Sequence, residues 1–204
     1  MNFTTMLRGA LAAAAALSLA ACGINSVPAA EEEAKAKWAD VQSAYQRRAD
    51  LIPNLVSTAE AAAISERNIL TNVTEARSRA MGINITTEDL SNPEEFARFQ
   101  EGQNQLTQAL GQFRTVVEQY PQLQSNQGFA DLMVALEGTE NRIDNARTKY
   151  NEAVRRYNTT IRTFPDTIGA NIIYGAEPMQ PFAAQPGSEV APKAEFNIGG
   201  GQTN

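Results

Sequence analysis

Residues 45–60 read YQRRADLIPNLVSTAE. Tyr45, Arg48, Ile52, Leu55 and Ala59 fall three and four apart, the spacing of one face of an α-helix. Pro53 stands in the middle of that face's run. A proline inside a helix removes one backbone donor and clashes with the turn before it, and here it frees the carbonyl of Ala49. The stripe stays in phase on both sides of Pro53. The reading is therefore one long helix kinked at Pro53, with Asn54 or a water satisfying the freed carbonyl. The alternative is two helices meeting at the proline, which raises the helix count by one.

Working outward, the stripe extends from Trp38 and Val41 through Ala62, Glu66, Ile69, Val73 and Ala76 to Ala80. This predicts a first helix over residues 31–82, ended by Met81-Gly82 and the polar, β-rich segment INITTEDL. A second helix opens at Asn92-Pro93-Glu94-Glu95. Asparagine caps well, proline suits the first helical position, and the acids suit the positive end of the helix dipole. Its stripe runs from Phe96 and Phe99 through Gln103, Leu106, Leu110 and Phe113 to Val117 and Tyr120, and Pro121 stops it. Gly102 and Gly111 weaken it; they are either surface glycines or points of close helix approach. A third helix is predicted from about Gln127 to Phe164, with Phe129, Leu132, Leu136, Glu140, Ile143, Arg147, Tyr150, Val154, Tyr157, Ile161 and Phe164 on its seam, and Pro165 ends it. Long helices with narrow apolar stripes are not stable alone. The expected fold is all-α: an antiparallel up-and-down bundle of three long helices over residues 31–175, counted as four if the first divides. Residues 176–204 carry Pro178, Pro181, Pro186, Pro192 and Gly199-Gly200-Gly201, and read as a flexible, disordered tail.

The N-terminus carries a different signal. Residues 1–21 hold Arg8 followed by an uncharged Ala/Leu run, the pattern of a signal peptide. The run ends in Leu19-Ala20-Ala21-Cys22-Gly23, and Cys22 is the only cysteine of the chain. This resembles a bacterial lipobox, in which Cys22 is lipidated and becomes the mature N-terminus, with residues 22–30 as a tether. The alternatives are a conventional cleaved signal peptide and an uncleaved anchor helix. The lipobox reading puts the chain on a bacterial membrane with its body outside the cytoplasm, periplasmic in a Gram-negative cell. Gly23 in place of Asp leaves the outer membrane open to it.

Composition narrows the chemistry. The chain of 204 residues is 43% hydrophobic and 20% charged, a balance suited to one globular domain plus extras. Its net charge of −6 gives no footprint for nucleic acid. It has no histidine, which removes the commonest general base and the commonest neutral metal ligand. No catalytic, cofactor-binding or metal-binding residues are assigned. Charged residues do occur on the seams: Arg48, Glu66, Glu140 and Arg147. Counting levels in a three-helix bundle places Glu66, Gln103 and Glu140 in one layer, with Arg77 and Arg147 a turn or two away. Buried charges must be paired or wet, so this structural polar layer is read as fixing the register of the helices. The rival reading is an enzyme or ligand-binding module using Glu66, Glu140 and Arg147. Tyr150-Asn151 and Tyr157-Asn158 repeat at seven residues. They are read as core aromatics reaching the rim, with a peptide-, glycan- or cell-wall-binding ladder as the alternative.

Several stretches together carry a resemblance: QRRADLIPNLVSTAE (46–60), ARSRA (76–80), YPQL (120–123), LEGTENRIDNARTKYNEAV (136–154) and RYNTTIRTFP (156–165). In this order and spacing they resemble the LemA family of bacterial envelope proteins, over roughly residues 35–175. APKAEF (191–196) also resembles the segment that closes many members. The matching positions are Arg47, Leu51, Ile52, Pro53, Asn54, Leu55, Glu66, Arg77, Tyr120, Pro121, Leu136, Glu140, Arg147, Tyr150, Asn151, Tyr157, Asn158, Phe164 and Pro165. The resemblance implies an all-α body resembling a four-helix up-and-down arrangement, anchored to a membrane and outside the cytoplasm. It implies no enzymatic activity, cofactor or catalytic residue. Many members carry a transmembrane helix where this chain has its lipobox, and Ser65 stands where a His or aromatic is frequent. Members are often encoded near a membrane protein with a TPM domain, so the resemblance implies an envelope protein partner. The function expected is a non-enzymatic scaffold or protein-interaction module.

Overall fold

The computed structural model describes residues 25–62 and 66–183. Residues 1–21, expected to be a signal peptide, Cys22, Ser65 and the segment from 184 onward lie outside the described residues. The fold is all-α, and among the described residues four helices exceed three turns: α1 (Ser26–Ala61), α2 (Arg67–Gly82), α3 (Pro93–Val117) and α4 (Gln127–Thr160). Single turns at Glu88–Ser91, Pro121–Gln124 and Asp166–Gly169 and a π-helical turn at Ala170–Tyr174 connect or follow them. At 1.5 Å per residue α1 is about 54 Å long and α4 about 51 Å.

The helix starts follow local chemistry. Asn92 accepts from the backbone N–H of Glu94 at 3.0 Å and of Glu95 at 3.4 Å, ahead of Pro93. Asn126 accepts from the N–H of Phe129 at 3.1 Å and opens α4. The expected tether is shorter than read: α1 begins at Ser26, and Val27 is fully buried.

The first long helix is corrected in a way that changes the topology. α1 passes through Pro53 without a break, and the chain leaves the helix at Ala62 instead. There it reverses. The Arg77 Nε donates to the Ala49 carbonyl at 2.7 Å, so α2 runs back along α1 as the second arm of a helical hairpin. Glu66 meets Tyr120 and Gln103 meets Ala80, so α3 runs opposite to α2. Arg156 meets Glu33 and Glu140 meets Arg48, so α4 runs opposite to α1. The three-helix count therefore becomes four, with the division some ten residues beyond the proline. The apolar stripe crosses the reversal in phase: Ile69, Val73, Ala76 and Ala80 are all buried. Nothing in the periodicity marks the turn.

The core has two parts. One gathers Trp38, Val41, Tyr45, Phe96, Phe99, Ile143, Tyr150, Val154 and Tyr157. The other gathers Ile52, Leu55, Val73, Leu106, Leu110, Phe113, Phe129 and Leu136. All four helices line the second part. α2 stops at Gly82, before reaching the first part, and the space beside α1, α3 and α4 is filled by residues 83–91 and by the chain after 175. The expected tail is thus corrected for its first eight residues: Met179 and Phe182 are 4% and 5% exposed and belong to the core.

Candidate functional site

Between the two parts of the core lies a polar layer centred on Arg48, which is 1% exposed. Its Nη1 donates to Thr107 Oγ1 at 2.9 Å and to both carboxylate oxygens of Glu140, at 3.1 and 3.3 Å. Its Nη2 donates to the Gln103 side-chain oxygen at 2.7 Å and to the Gln103 carbonyl at 3.3 Å. The guanidinium also sits 5.1 Å from the centre of the Tyr45 ring. Glu140 reaches this layer from the rim, with its side chain 36% exposed. The buried partner is therefore an arginine, whose planar fork can take several acceptors at once, and the acid remains partly in water.

The expected layer is assembled only in part. Gln103 and Glu140 meet through Arg48. Glu66 does not join them: it sits exposed at the start of α2 and accepts from the Tyr120 hydroxyl. Arg77 and Arg147 are each engaged elsewhere. Arg77 supplies the answer to Pro53. The carbonyl freed by the proline is held by the Arg77 side chain, reaching across from α2, and neither Asn54 nor a water is needed for it. Sequence reasoning placed Arg48 on the seam but gave it no partner, because the level count treated α1 and α2 as one rod. The signal was present in Arg48 and Glu140 themselves, an opposite-charge pair at seam positions.

A second set of side chains forms a clamp on the segment 176–183, the strap. Asn158 donates to the Met179 carbonyl and accepts from the Met179 N–H, both at 2.9 Å. Asn151 does the same to Phe182, at 3.1 and 2.8 Å. Seven residues of helix rise about 10.5 Å, and three residues of extended chain span about 10 Å. The two asparagines are therefore spaced to grip backbone at residues i and i+3 of an extended segment running opposite to α4. The Tyr150 hydroxyl donates to the Gln180 carbonyl at 3.0 Å, and Gln180 N–H donates to the Leu90 carbonyl at 2.8 Å. Arg147 donates to the Ala183 carbonyl at 3.2 Å and lies over the Phe182 ring at 4.7 Å. Phe182 enters a ring cluster with Trp38, Phe96, Phe99 and Tyr150, at centroid distances of 5.0 to 6.5 Å. Burial pushes the Tyr150 hydroxyl well above the usual phenol range and raises those of Tyr45 and Tyr157. The Tyr150 phenol stays protonated, as its donation to the Gln180 carbonyl requires.

Five of the motif positions thus hold backbone: Arg77 the proline's orphan carbonyl, and Arg147, Tyr150, Asn151 and Asn158 the strap. A family model described as the LemA family matches residues 37–196. The chain belongs to the LemA family. Among its relatives are the magnetosome protein MamQ 2 of Paramagnetospirillum magneticum and the magnetosome protein MamQ of Magnetospirillum gryphiswaldense. Each is 27% identical to it, over 160 and 151 residues. These alignments cover 69% and 66% of this chain but 58% and 55% of the relatives. The chain therefore spans under two thirds of the length of the relatives it matches. Neither the LemA description nor the relatives' names carries a reaction. The match includes the whole strap, so the clamp of α4 and the segment it holds lie together within the LemA region.

Proposed function

We propose that this LemA-family chain is a lipoprotein of the bacterial envelope, anchored through Cys22, whose helical body is a non-enzymatic scaffold for a protein partner outside the cytoplasm. The observation that carries this reading is where the polar side chains of the interior are spent. Arg48 binds both Gln103 and Glu140, while Arg77, Tyr150, Asn151 and Asn158 hold backbone. An enzyme built on Glu66, Glu140 and Arg147 needs those groups around one space, and they lie in three separate settings. A cell-wall ladder needs the Tyr150–Asn151 and Tyr157–Asn158 row open, and both amides are occupied by the strap. The partner suggested by the family resemblance is a membrane protein with a TPM domain.

Metabolic labelling with an alkyne fatty acid tests the anchor. The wild-type chain is expected to take the label and Cys22→Ser to lose it; an unlabelled wild type ends the lipoprotein reading. Cross-linking in intact cells followed by purification tests the scaffold. A stoichiometric membrane-protein partner supports it, and a chain that cross-links only to peptidoglycan overturns it in favour of wall binding.

A further inference from the structure

The segment that follows α4 carries large apolar side chains in the open. Phe164 and Ile172 are each 79% exposed, Ile173 is 58%, Ile168 is 51% and Tyr174 is 40%. The other large apolar residues so exposed among the described ones, Met81 and Val134, stand singly on α2 and α4. Isolated exposed apolar residues need no explanation, but five within residues 164–174 concentrate apolar surface in one short stretch of chain.

The position of this stretch indicates what covers it. Ser26 Oγ donates to Asp166 Oδ1 at 2.6 Å, and the turn Asp166–Gly169 packs against α1. Ala170 is fully buried in the same cluster as Val27 and Ala30. Residues 164–174 therefore cap the end of the bundle at which α1 begins. Ser26 follows Cys22 by four positions, a reach of at most about 14 Å. An acylated Cys22 puts a bilayer within that reach, and so does an uncleaved apolar N-terminal helix. Of the acids near this end, Asp166 is half-buried and accepts from Ser26, Glu31 and Glu32 share Lys35, and Glu33 pairs with Arg156.

We infer that residues 164–174 are a membrane-contact tip. Phe164, Ile168, Ile172 and Ile173 enter the boundary between headgroups and acyl chains of the leaflet that holds the N-terminal anchor, and the exposed Arg162 lies at headgroup level. The inference rests on the anchored reading for where the lipid is; the apolar surface stands without it. A flexible tether alone leaves the bundle free to tilt. A second lipid contact beside the tether sets the long axis of α1 and α4 away from the membrane and presents the opposite end, near Tyr120 and Phe129, about 50 Å out.

The test uses the full chain, purified from membranes and reconstituted in vesicles of phosphatidylethanolamine and phosphatidylglycerol. Spin labels are placed in turn on Ile172→Cys and, as a distant control, Val134→Cys. At 172 the label is expected to be relaxed more by oxygen than by a water-soluble nickel chelate, and at 134 the reverse. A label at 172 as open to the chelate as the one at 134 overturns the tip. A label at 172 shielded from both reagents means that protein covers it, a second copy or residues 184–204, and also overturns it. In a second variant, Phe164→Ser/Ile172→Ser/Ile173→Ser with the label on Ile168→Cys, the tip is expected to leave the bilayer and admit the chelate; continued immersion overturns the assignment. Mass measurement of the same samples separates the two readings. An acylated chain with a wet tip keeps the anchor and loses the tip, whereas a chain without acyl groups but with an immersed tip loses the Cys22 anchor and keeps the tip.

Discussion

Removing Glu140 and removing Arg48 have different consequences, because one is at the rim and the other in the interior. Glu140→Ala strips the countercharge from a guanidinium that stays 1% exposed. Water can enter where Glu140 was, which limits the loss to about 1–3 kcal/mol. Replacing both partners by apolar groups removes the charge as well as its partner, and such swaps are often neutral. In urea melts, Arg48→Met/Glu140→Leu is expected to be more stable than Glu140→Ala alone; the reverse order would show that the layer's hydrogen bonds outweigh the cost of burying its charge. Arg77 and Pro53 make a second coupled pair. Arg77→Ala orphans the Ala49 carbonyl and is expected to destabilise by about 1–3 kcal/mol. In a Pro53→Ala background the residue at 53 regains an N–H for that carbonyl, so the same Arg77→Ala change should cost less by about 0.5–2 kcal/mol. A double-mutant cycle with no coupling would mean that Arg77 stabilises by packing alone.

Helices carry their own predictions through their glycines. A Cβ at Gly111 or Gly138 meets nothing within 4 Å, whereas one at Gly102 meets Ile83 Cδ1 at 2.7 Å. Gly111→Ala and Gly138→Ala are each expected to raise stability by about 0.8–1 kcal/mol from helix propensity. Gly102→Ala should gain less or lose, since Ile83 must move aside. Thermal melts of the three variants rank them directly, and equal gains would show that the Ile83 side chain swings aside at no cost. Much at this scale was legible in the chain. The stripe of α3, the stripe of α4 as far as Ile161 and the Asn92-Pro93 start stand where residue chemistry puts them; Phe164, expected to close the α4 seam, lies past the helix end at Thr160 and is 79% exposed. The reversal between α1 and α2 was not legible, because the helix-favouring residues around Ala62 contain neither glycine nor proline and the stripe happens to continue in phase through Glu66 to Ile69. The polar layer was half legible for the same reason: Arg48 and Glu140 could be seen as seam charges, but a level count along an unreversed rod paired Glu140 with the wrong end of the hairpin. The strap was hidden by its prolines, which read as low complexity. Met179 and Phe182, three apart, against Tyr-Asn pairs seven apart on α4, were the signal that a backbone was being gripped.

At the scale of the molecule, the Arg48 layer divides the core into a part closed by four helices and a part closed by three helices and a strap. The strap does the work of the missing turns of α2: Phe182 fills the ring cluster, and Asn151, Asn158 and Tyr150 satisfy the polar backbone that an extended segment brings into an interior. Regions of a protein open separately when few apolar contacts join them, and here a polar layer stands at the join. Phe182→Ala removes a buried aromatic and is expected to cost about 3–5 kcal/mol. Its effect on amide hydrogen exchange should be uneven. Protection is expected to fall in the first half of α1 around Trp38 and Val41, at the start of α3 around Phe96 and Phe99, and in α4 around Tyr150 and Val154. It should persist around Leu55, Val73, Leu110 and Phe113, which never touch the strap's part of the core. An even loss across both parts would mean that Arg48 and its partners couple the two halves into one cooperative unit, and that the layer transmits strain where we expect it to confine it. The same experiment bears on the tip at 164–174, which is built on the strap's side of the layer. If Phe182→Ala loosens that side alone, the end of the bundle at which α1 begins, beside the proposed anchor, is the compliant one, and the end built on Phe113, Leu123 and Phe129 is the rigid one, the face the proposed scaffold would hold out to a partner.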